Sequence, residues 1–124
     1  QVLKEVCRRV RDHLRASDIA TRYGGDEFAI ILPETDLEGT RTVAAKLQAA
    51  VCGEPVAAGD LAIPVSLSIG GAAFPAPGIA SREELFHAAD QAMYRVKHRG
   101  RGSIDMAGEI GQRRQNCREE RETP

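Results

Sequence analysis

The sequence contains no tryptophan, few other aromatic residues and almost no net charge, and each absence narrows what the chain can be. Aromatic residues make up only 4% of the 124 residues, so the core must consist mainly of Val, Ile, Leu and Ala. The net charge is −1, which excludes binding to nucleic acid through overall positive charge. Hydrophobic residues at 42% and charged residues at 28% are typical of a folded globular protein, and the length allows one domain.

Cysteines and long apolar runs are also scarce. Cys7, Cys52 and Cys117 lie far apart and form no Cys-x-x-Cys pair, so the sequence indicates neither a zinc knuckle nor a disulfide framework, and we expect reduced thiols. The longest strongly apolar run, 28–32, is far shorter than the roughly 18 residues that a membrane-spanning helix needs. We therefore expect a cytoplasmic domain. Since the first residue is Gln rather than Met and no signal peptide is in view, we also expect a longer parent protein.

Apolar periodicity predicts three helices, over 1–16, 36–52 and 85–96, the last of them stopped by Gly100. The spacing Ser/Thr-x-x-Glu, which begins at Thr35 and at Ser81, predicts capping boxes at the second and third helices.

Strand patterns predict a hairpin and a third strand. Segments 19–23 and 27–32 flank a Gly-Gly-Asp turn, and the second segment is apolar on both faces, as in a central strand. Strict alternation over 61–69 predicts a half-buried strand, and 54–60 is a loop or a weak strand. Helices combined with a sheet in this order indicate an α/β or α+β fold.

The predicted hairpin turn carries the clearest chemistry. Gly24 and Gly25 lack Cβ atoms, so a bulky ligand can approach the backbone and meet its N–H groups with phosphate oxygens. Asp26 and Glu27 follow, and since neighbouring strand residues point to opposite faces, we expect one of them to face a given site. A carboxylate beside a phosphate-sized opening suits Mg²⁺. A plain glycine turn with solvated acids is the alternative, and the Gly-Gly-Asp motif alone does not decide between the two.

The whole stretch 22–28, Arg-Tyr-Gly-Gly-Asp-Glu-Phe, resembles the signature of the GGDEF family, the diguanylate cyclases. The similarity continues in order over about 105 residues. It includes a helix before the hairpin, a Ser-x-Gly strand, and a last helix with its exit, at 3–14, 66–70, 89–94 and 97–101. A small departure is Gly102, where the family usually has Asn.

The resemblance implies a fold and its boundaries. We expect an α/β fold of the α+β sandwich type, with a mostly antiparallel central sheet and flanking helices, as in nucleotide-cyclase and palm-like domains. Residues 1–106 would form a partial GGDEF domain that lacks its first strand, and the polar residues 107–124 a frayed tail. The lacking part carries a metal-binding Asp and the Asn and Asp that recognise guanine in the family. We therefore expect the 124-residue chain alone to be inactive or nearly so.

The resemblance also implies a reaction. Two GTP molecules are condensed to cyclic di-GMP with release of two pyrophosphates, and each domain of a homodimer presents one GTP. Carried over position by position, Asp26 and Glu27 take catalytic roles, with Asp26 as ligand of the metal ion, Mg²⁺ or Mn²⁺. The residues implied to bind the substrate are two glycines and two cations: Gly24, Gly25, Lys97 and Arg101.

A second motif, Arg-x-x-Asp at Arg15 and Asp18, matches the family's inhibitory site, where cyclic di-GMP binds away from the catalytic pocket. By itself this spacing indicates only a helix end and a turn. The chemistry fits, because an arginine fork donates to guanine O6 and N7 and a carboxylate accepts from guanine N–H groups. Lys46 lies where the family often has another Arg, and it keeps the charge without the fork.

Two other functions stay open: a non-catalytic module that senses cyclic di-GMP through Arg15 and Asp18, and a dimerisation module without a ligand. The basic run 95–101 has no aromatic platform, so we expect no nucleic-acid partner and interpret Arg95, His98 and Arg99 as a solvated helix end. The resemblance further implies an upstream sensory or receiver domain, and a membrane anchor elsewhere in the parent protein stays open.

Overall fold

The structure, a computed structural model, describes residues 2–108 and the backbone of 115–116. Three helices run through this part of the chain: α1 (Val2–Arg11), α2 (Leu37–Cys52) and α3 (Arg82–His98). The strands there are short: β1 (Ile19–Gly24), β2 (Glu27–Ile31), β3 (Val56–Ala58), β4 (Leu61–Ile63), β5 (Ile69–Gly71), β6 (Ser103–Met106) and β7 (Gln115–Asn116).

The described strands form three small sheets. Strands β1 and β2 form an antiparallel hairpin, and β3 and β4 form a second antiparallel pair. In the third sheet β6 lies between β5, to which it is parallel, and β7, to which it is antiparallel. The predicted α+β class, with mostly antiparallel pairing and flanking helices, is confirmed. The sheet is divided into three within the described residues, and one of its four strand pairs is parallel.

Helix α2 lies at the centre of the packing. Its residues Leu47 and Val51 pack against Val6 and Val10 of α1 in the larger apolar cluster. Ala44, one turn before Leu47 on α2, packs against Ile104 and Met106 of β6. Aliphatic side chains therefore fill both clusters, as the low aromatic content requires.

An arginine connects α1 to the end of α2. The guanidinium of Arg9 donates to the carbonyl oxygens of Val51, Glu54 and Pro55 at 3.1, 2.5 and 3.1 Å. Its Nε donates to Glu5 at 2.9 Å. Hydrogen bonds from Arg8 and Arg9 lower the pKa of Glu5 to about 2. The Val51 carbonyl, one of the last four in α2, thus receives a donor from a neighbouring helix, as do two carbonyls of the loop that follows.

Helices α2 and α3 begin with different kinds of N-cap. Helix α3 begins as predicted, because the Glu84 N–H donates to Ser81 Oγ at 3.1 Å. Helix α2 does not begin at the predicted box: its N-cap is Asp36, whose carboxylate accepts from the Gly39 N–H at 2.8 Å. Thr35 lies one residue earlier, and its hydroxyl donates instead to the Pro33 carbonyl at 3.0 Å.

Several predicted element boundaries were wrong. The predicted helix 1–16 ends at Arg11, because the chain then turns toward Arg15 and Asp18. The predicted strand 61–69 is two separate strands, β4 and β5, and Pro64, which has no N–H to donate, follows β4 directly. Strand β6 was not predicted, since four residues are too few for a periodic signal. Apart from 107–108 and the backbone of 115–116, the predicted tail 107–124 lies outside the described residues.

The cysteines differ from one another. Cys7 is a free thiol, whereas Cys52 is disulfide-bonded, so the expectation of reduced thiols was wrong for Cys52. Cys117 lies outside the described residues. None of the described helices is both long and apolar enough to cross a membrane.

A single glycine sets the distance between the third sheet and α3. A Cβ at Gly70 of β5 would lie 2.2 Å from the Met93 nitrogen and 2.6 Å from the Ala89 oxygen, both backbone atoms of α3. Backbone atoms cannot rotate away as a side chain can. The strand and the helix therefore touch through their main chains, and only glycine fits at this point.

We expect Gly70→Ala to lower the free energy of unfolding by about 3 kcal/mol, because the added methyl group forces β5 and α3 apart. Urea unfolding followed by circular dichroism measures the effect. Gly24→Ala is the matched control, since a Cβ there meets nothing within 4 Å. Equal stability of the two variants would contradict the proposed close contact.

Candidate functional site

The acidic turn joins β1 to β2 through Gly25 and Asp26. The register of the hairpin shifts between Arg22 and Gly24, so Tyr23 forms a bulge just before the turn. The Arg22 guanidinium spans the turn and donates to the Gly25 carbonyl from Nε at 3.1 Å and from Nη2 at 2.6 Å. The turn is thus held by a side chain in addition to the strand ladder.

The two glycines leave open space at this turn. A Cβ added at Gly24 or at Gly25 would meet nothing within 4 Å, and neither residue has a left-handed backbone. The turn conformation therefore does not require glycine at either position. Room for a ligand against the backbone is the remaining physical reason for glycine, which agrees with the expected approach of a nucleotide.

The adjacent carboxylates have different surroundings. Glu27 Oε2 lies 3.2 Å from Lys97 Nζ, across 70 residues of sequence. Asp26 is exposed, and its carboxylate has no hydrogen bond or ion pair with any described residue. As the sequence suggested, one acid is directed to a neighbouring element, here α3, and the other stays available.

An aromatic contact also joins the hairpin to α3. The ring centroids of Tyr23 and Phe86 lie 5.4 Å apart with the planes tilted by 48°, a favourable geometry for an aromatic pair. Phe86 lies in the first turns of α3 and Lys97 in the last. The hairpin therefore contacts α3 near both ends. Sequence reasoning missed Phe86, because no pattern connects it with residues 60 positions away.

The predicted substrate residue Arg101 lies beyond the end of α3, at His98. It is the middle one of three consecutive residues with positive φ, between Gly100 at 101° and Gly102 at 72°. Its guanidinium makes no hydrogen bond or ion pair within the described part of the chain. Lys97 is therefore brought to the acidic turn. Arg101, four residues later, is exposed and has no bonded partner among the described residues. The φ of Gly102 is one that Asn also tolerates, which explains why glycine and Asn are alternatives there.

Asp26 has the properties of a ligand for a divalent cation. It offers hard oxygen ligands, it is exposed, and no cation in the described chain neutralises it. The described residues contain no cluster of three or more His, Cys, Asp and Glu that could hold a metal by themselves. Phosphate oxygens and water would have to supply the other ligands, as is usual for Mg²⁺.

Of the second predicted constellation, the structure brings Arg15 and Asp18 together but not Lys46. Arg15 Nη2 lies 3.1 Å from Asp18 Oδ1, and the Arg15 N–H donates to Asp18 Oδ2 at 2.7 Å. The same guanidinium nitrogen donates at 3.0 Å to the Pro33 carbonyl and to Thr35 Oγ1. Arg15 thus connects the segment before β1 with the segment after β2. Lys46 is exposed on α2 and is bonded to neither Arg15 nor Asp18.

Hydrogen bonding holds Asp18 in its charged form. The bond from the Arg15 backbone N–H is the largest influence and lowers the pKa of this carboxyl. The Arg15 guanidinium lowers it further, while desolvation opposes both effects. The carboxylate therefore remains an acceptor at acidic pH.

The basic end of α3 is not simply solvated, as the sequence analysis had interpreted it. Arg95 Nε lies 2.8 Å and Arg99 Nη1 3.3 Å from Asp105 Oδ2 of β6. Burial raises the pKa of Asp105, but the bonds from the two arginines outweigh it and the net pKa is lowered. Arg95 and Arg99 are thus structural, and the His98 ring contacts Tyr94 with centroids 4.1 Å apart and planes tilted by 48°.

Residues 1–103 match the family model described as diguanylate cyclase, GGDEF domain. The chain is 36% identical to the diguanylate cyclase DgcP of Pseudomonas aeruginosa over 107 residues, and 36% identical to the response regulator PleD of Caulobacter vibrioides over 106 residues. These alignments cover 86% and 84% of the chain, which spans 16% and 23% of the length of these curated relatives.

Solved structures give the same result. The GGDEF domain of YfiN (TpbB) from Pseudomonas aeruginosa matches with a TM-score of 0.78 at 35% identity, over 86% of this chain and 66% of that one. The GGDEF domain of DgcB from Caulobacter crescentus, solved in complex with c-di-GMP, matches with a TM-score of 0.72 at 28% identity, over 86% of this chain and 63% of that one.

We expect the Asp18 carboxyl to titrate below its ordinary pKa of about 4, and to do so still in Arg15→Ala, because the backbone N–H of residue 15 remains. Since the folded-state pKa is lowered, the stability that Asp18 contributes is present above its ordinary pKa and is lost as the pH falls through the lowered value. Carbon-detected NMR titration of the side-chain carboxyl measures both variants. An ordinary pKa in the unsubstituted chain would contradict the bonds described.

Proposed function

This chain belongs to the GGDEF domain family of diguanylate cyclases, and we propose that the protein that carries it condenses two GTP molecules to cyclic di-GMP and two pyrophosphates. The observation that carries the proposal is the contact between Glu27 and Lys97 at 3.2 Å. It brings the cationic end of α3 onto the acidic turn, where the two glycines leave space beside the backbone. Acid, cation and open backbone are the parts that phosphoryl transfer needs in one place.

Each residue of this site has a distinct role in the proposal. Asp26, which is unpaired among the described residues, holds a divalent cation, Mg²⁺ or Mn²⁺, that neutralises phosphate charge when bound. Lys97 and Arg101 bind phosphate oxygens. Glu27 holds Lys97 in place beside the turn until phosphate arrives. Open space at Gly24 and Gly25 admits the nucleotide.

The reaction also needs a second domain. Each 3′-hydroxyl attacks the α-phosphate of the other GTP, so two domains must face each other as a homodimer. An upstream sensory or receiver domain that controls this encounter belongs to the proposal, and PleD, a response regulator, is a relative in keeping with it. We place the reaction in the cytoplasm, where GTP is found.

The proposal includes inhibition by the product at Arg15 and Asp18. The Arg15 side chain is 57% exposed and offers a donor fork, and the charged carboxylate of Asp18, only 2% exposed, lies beside it and holds the fork. The DgcB structure, which contains c-di-GMP, is a similar domain that binds this dinucleotide. Lys46 adds positive charge from α2, although it does not touch the pair.

A second candidate function rests on the bonded pair of Arg15 and Asp18. A protein in which only Arg15 and Asp18 are used would be a sensor of cyclic di-GMP without catalysis. GTP turnover separates the two functions, since a sensor binds the dinucleotide and leaves GTP unchanged. Asp26, exposed and unpaired among the described residues, favours the cyclase.

We expect Asp26→Asn in the full-length protein to lower cyclic di-GMP formation by about a hundredfold or more, because cation-mediated charge stabilisation contributes several kcal/mol to phosphoryl transfer. Chromatography of the products of GTP turnover measures this. Asp60→Asn is the matched control, since Asp60 is an exposed acid in the turn between β3 and β4. Undiminished turnover by Asp26→Asn would exclude the assigned role.

We expect Arg15→Ala to raise the cyclic di-GMP concentration needed for half-maximal inhibition by about tenfold, because a charged fork to guanine is lost. The turn itself should persist, since the Arg15 N–H and the Arg15 carbonyl keep their bonds to Asp18. Arg11→Ala, an exposed arginine on α1, is the control. Unchanged inhibition in a folded Arg15→Ala protein would remove the inhibitory site from this surface.

A further inference from the structure

The strained backbone at Arg101 needs an explanation. Its φ of 69° lies in the left-handed region, which glycine adopts freely and an arginine does not. Gly100 and Gly102 on either side have the same sign of φ at no steric cost. Strain of this kind persists only where surrounding contacts determine the conformation, and it is common at functional sites.

Both backbone groups of the next residue are held by side chains. The Gly102 N–H donates to Ser68 Oγ at 2.8 Å, and the Gly102 carbonyl accepts from Gln48 Nε2 at 3.2 Å. On the N-terminal side of the Arg101 side chain, the Arg101 N–H donates to the Val96 carbonyl at 3.0 Å. These contacts fix the chain immediately before and after the Arg101 side chain.

Gln48 is an unusual residue for its position. It is fully buried on α2 and lies 54 residues from Gly102 in sequence. The same Nε2 donates to the Leu67 carbonyl at 3.2 Å, while Oε1 is buried without a partner among the described residues. An apolar side chain would fill the space without that unsatisfied atom. What glutamine adds is the pair of bonds that ties the β4–β5 segment to the turn after α3.

We propose that Gln48 and Ser68 are positioning residues that hold the Arg101 turn so that Arg101 and Lys97 bind the same polyphosphate. This inference rests on the proposed function, because it assumes that both cations contact GTP. Lys97 is fixed beside the acidic turn by Glu27. Arg101, whose guanidinium is unbonded among the described residues, is fixed through its backbone alone. Preorganisation of a flexible cation in this way lowers the entropic cost of binding phosphate.

The experiment uses the full-length protein with Ser68→Ala and Gln48→Met, which each remove one bond to Gly102 at nearly constant volume; Gln48→Met also removes the bond to Leu67. We expect each variant to raise the KM for GTP by about five- to tenfold, the usual effect of losing one hydrogen bond at Gly102, and to change kcat by less than about twofold. Ser66→Ala is the matched control for Ser68→Ala, since Ser66 lies near Gly102 without bonding it. Val51→Ala is the control for lost stability, because Val51 is buried on α2 in the apolar cluster with Val6 and Val10 of α1.

A double-mutant cycle with Arg101→Ala separates positioning from structure. In the Arg101→Ala background, Gln48→Met should raise the KM by less than about twofold, because the side chain that it positions is gone. A rise in KM with Val51→Ala equal to that with Gln48→Met would assign the effect to folding and overturn the proposal. So would an unchanged KM in folded Ser68→Ala and Gln48→Met proteins.

Failure of the proposed function gives a different result. Titration calorimetry with a non-reactive GTP analogue tests the unsubstituted protein directly. If it neither binds the analogue nor turns GTP over, the proposed function is wrong. The proposed role of Gln48 and Ser68 in phosphate binding is then wrong as well. If it binds the analogue and the two variants bind it equally well, the positioning proposal alone is overturned.

Discussion

The backbone of α3 lies against the backbone of β5 at Gly70, with no space between them for a methyl group. This contact sets the distance between the middle of the helix and the strand. The first turns then present Phe86 to Tyr23, and the last turn presents Lys97 to Glu27, so the hairpin is attached near both ends of α3. The candidate site therefore depends on a close approach between two backbones.

Helix geometry divides the basic residues near the end of α3 into two groups. One group is bonded within the structure to Asp105, and the other is available to the candidate site. Arg95 and Arg99 are four residues apart, so they share one face and both reach the buried Asp105. Lys97 lies halfway between them in sequence and points to the other side, toward Glu27. Arg101 follows after the helix has ended, where a strained turn sets it apart from all three. A single basic run thus serves two purposes, and charge counting alone does not separate them.

Local signals in the sequence predicted the helices, the hairpin and one helix cap correctly. Ser81 caps α3 because its hydroxyl and the Glu84 N–H are three residues apart, which is a local relation. Thr35 has the same spacing, but Asp36 beside it is an equally good cap and takes the role. A spacing rule does not rank two neighbouring candidates. The alternating pattern over 61–69 predicted one continuous strand. Pro64, which interrupts the strand, was the stronger signal.

Nonlocal contacts could not be predicted in this way. The bonds of Gln48 to Leu67 and Gly102 join residues 19 and 54 positions apart, and a glutamine within an apolar helix face gives no sign of its partners. The disulfide state of Cys52 was missed for a related reason, since cysteine spacing was the sole guide. The family resemblance assigns Asp26 and Lys97 to one site, and that assignment stays a prediction; the structure places Lys97 Nζ 3.2 Å from the neighbouring Glu27.

The two candidate sites lie at opposite ends of one hairpin. Arg15 bonds the Pro33 carbonyl and the Thr35 hydroxyl, which follow β2, while Asp18 directly precedes β1. The acidic turn lies at the other end, about five residues away along each strand, a distance of about 17 Å. A guanine bound by the Arg15 fork would compete with Pro33 and Thr35 for the same N–H groups. Occupation of that site would therefore alter the base of the hairpin whose tip carries Asp26, which gives the proposed product inhibition a direct structural route.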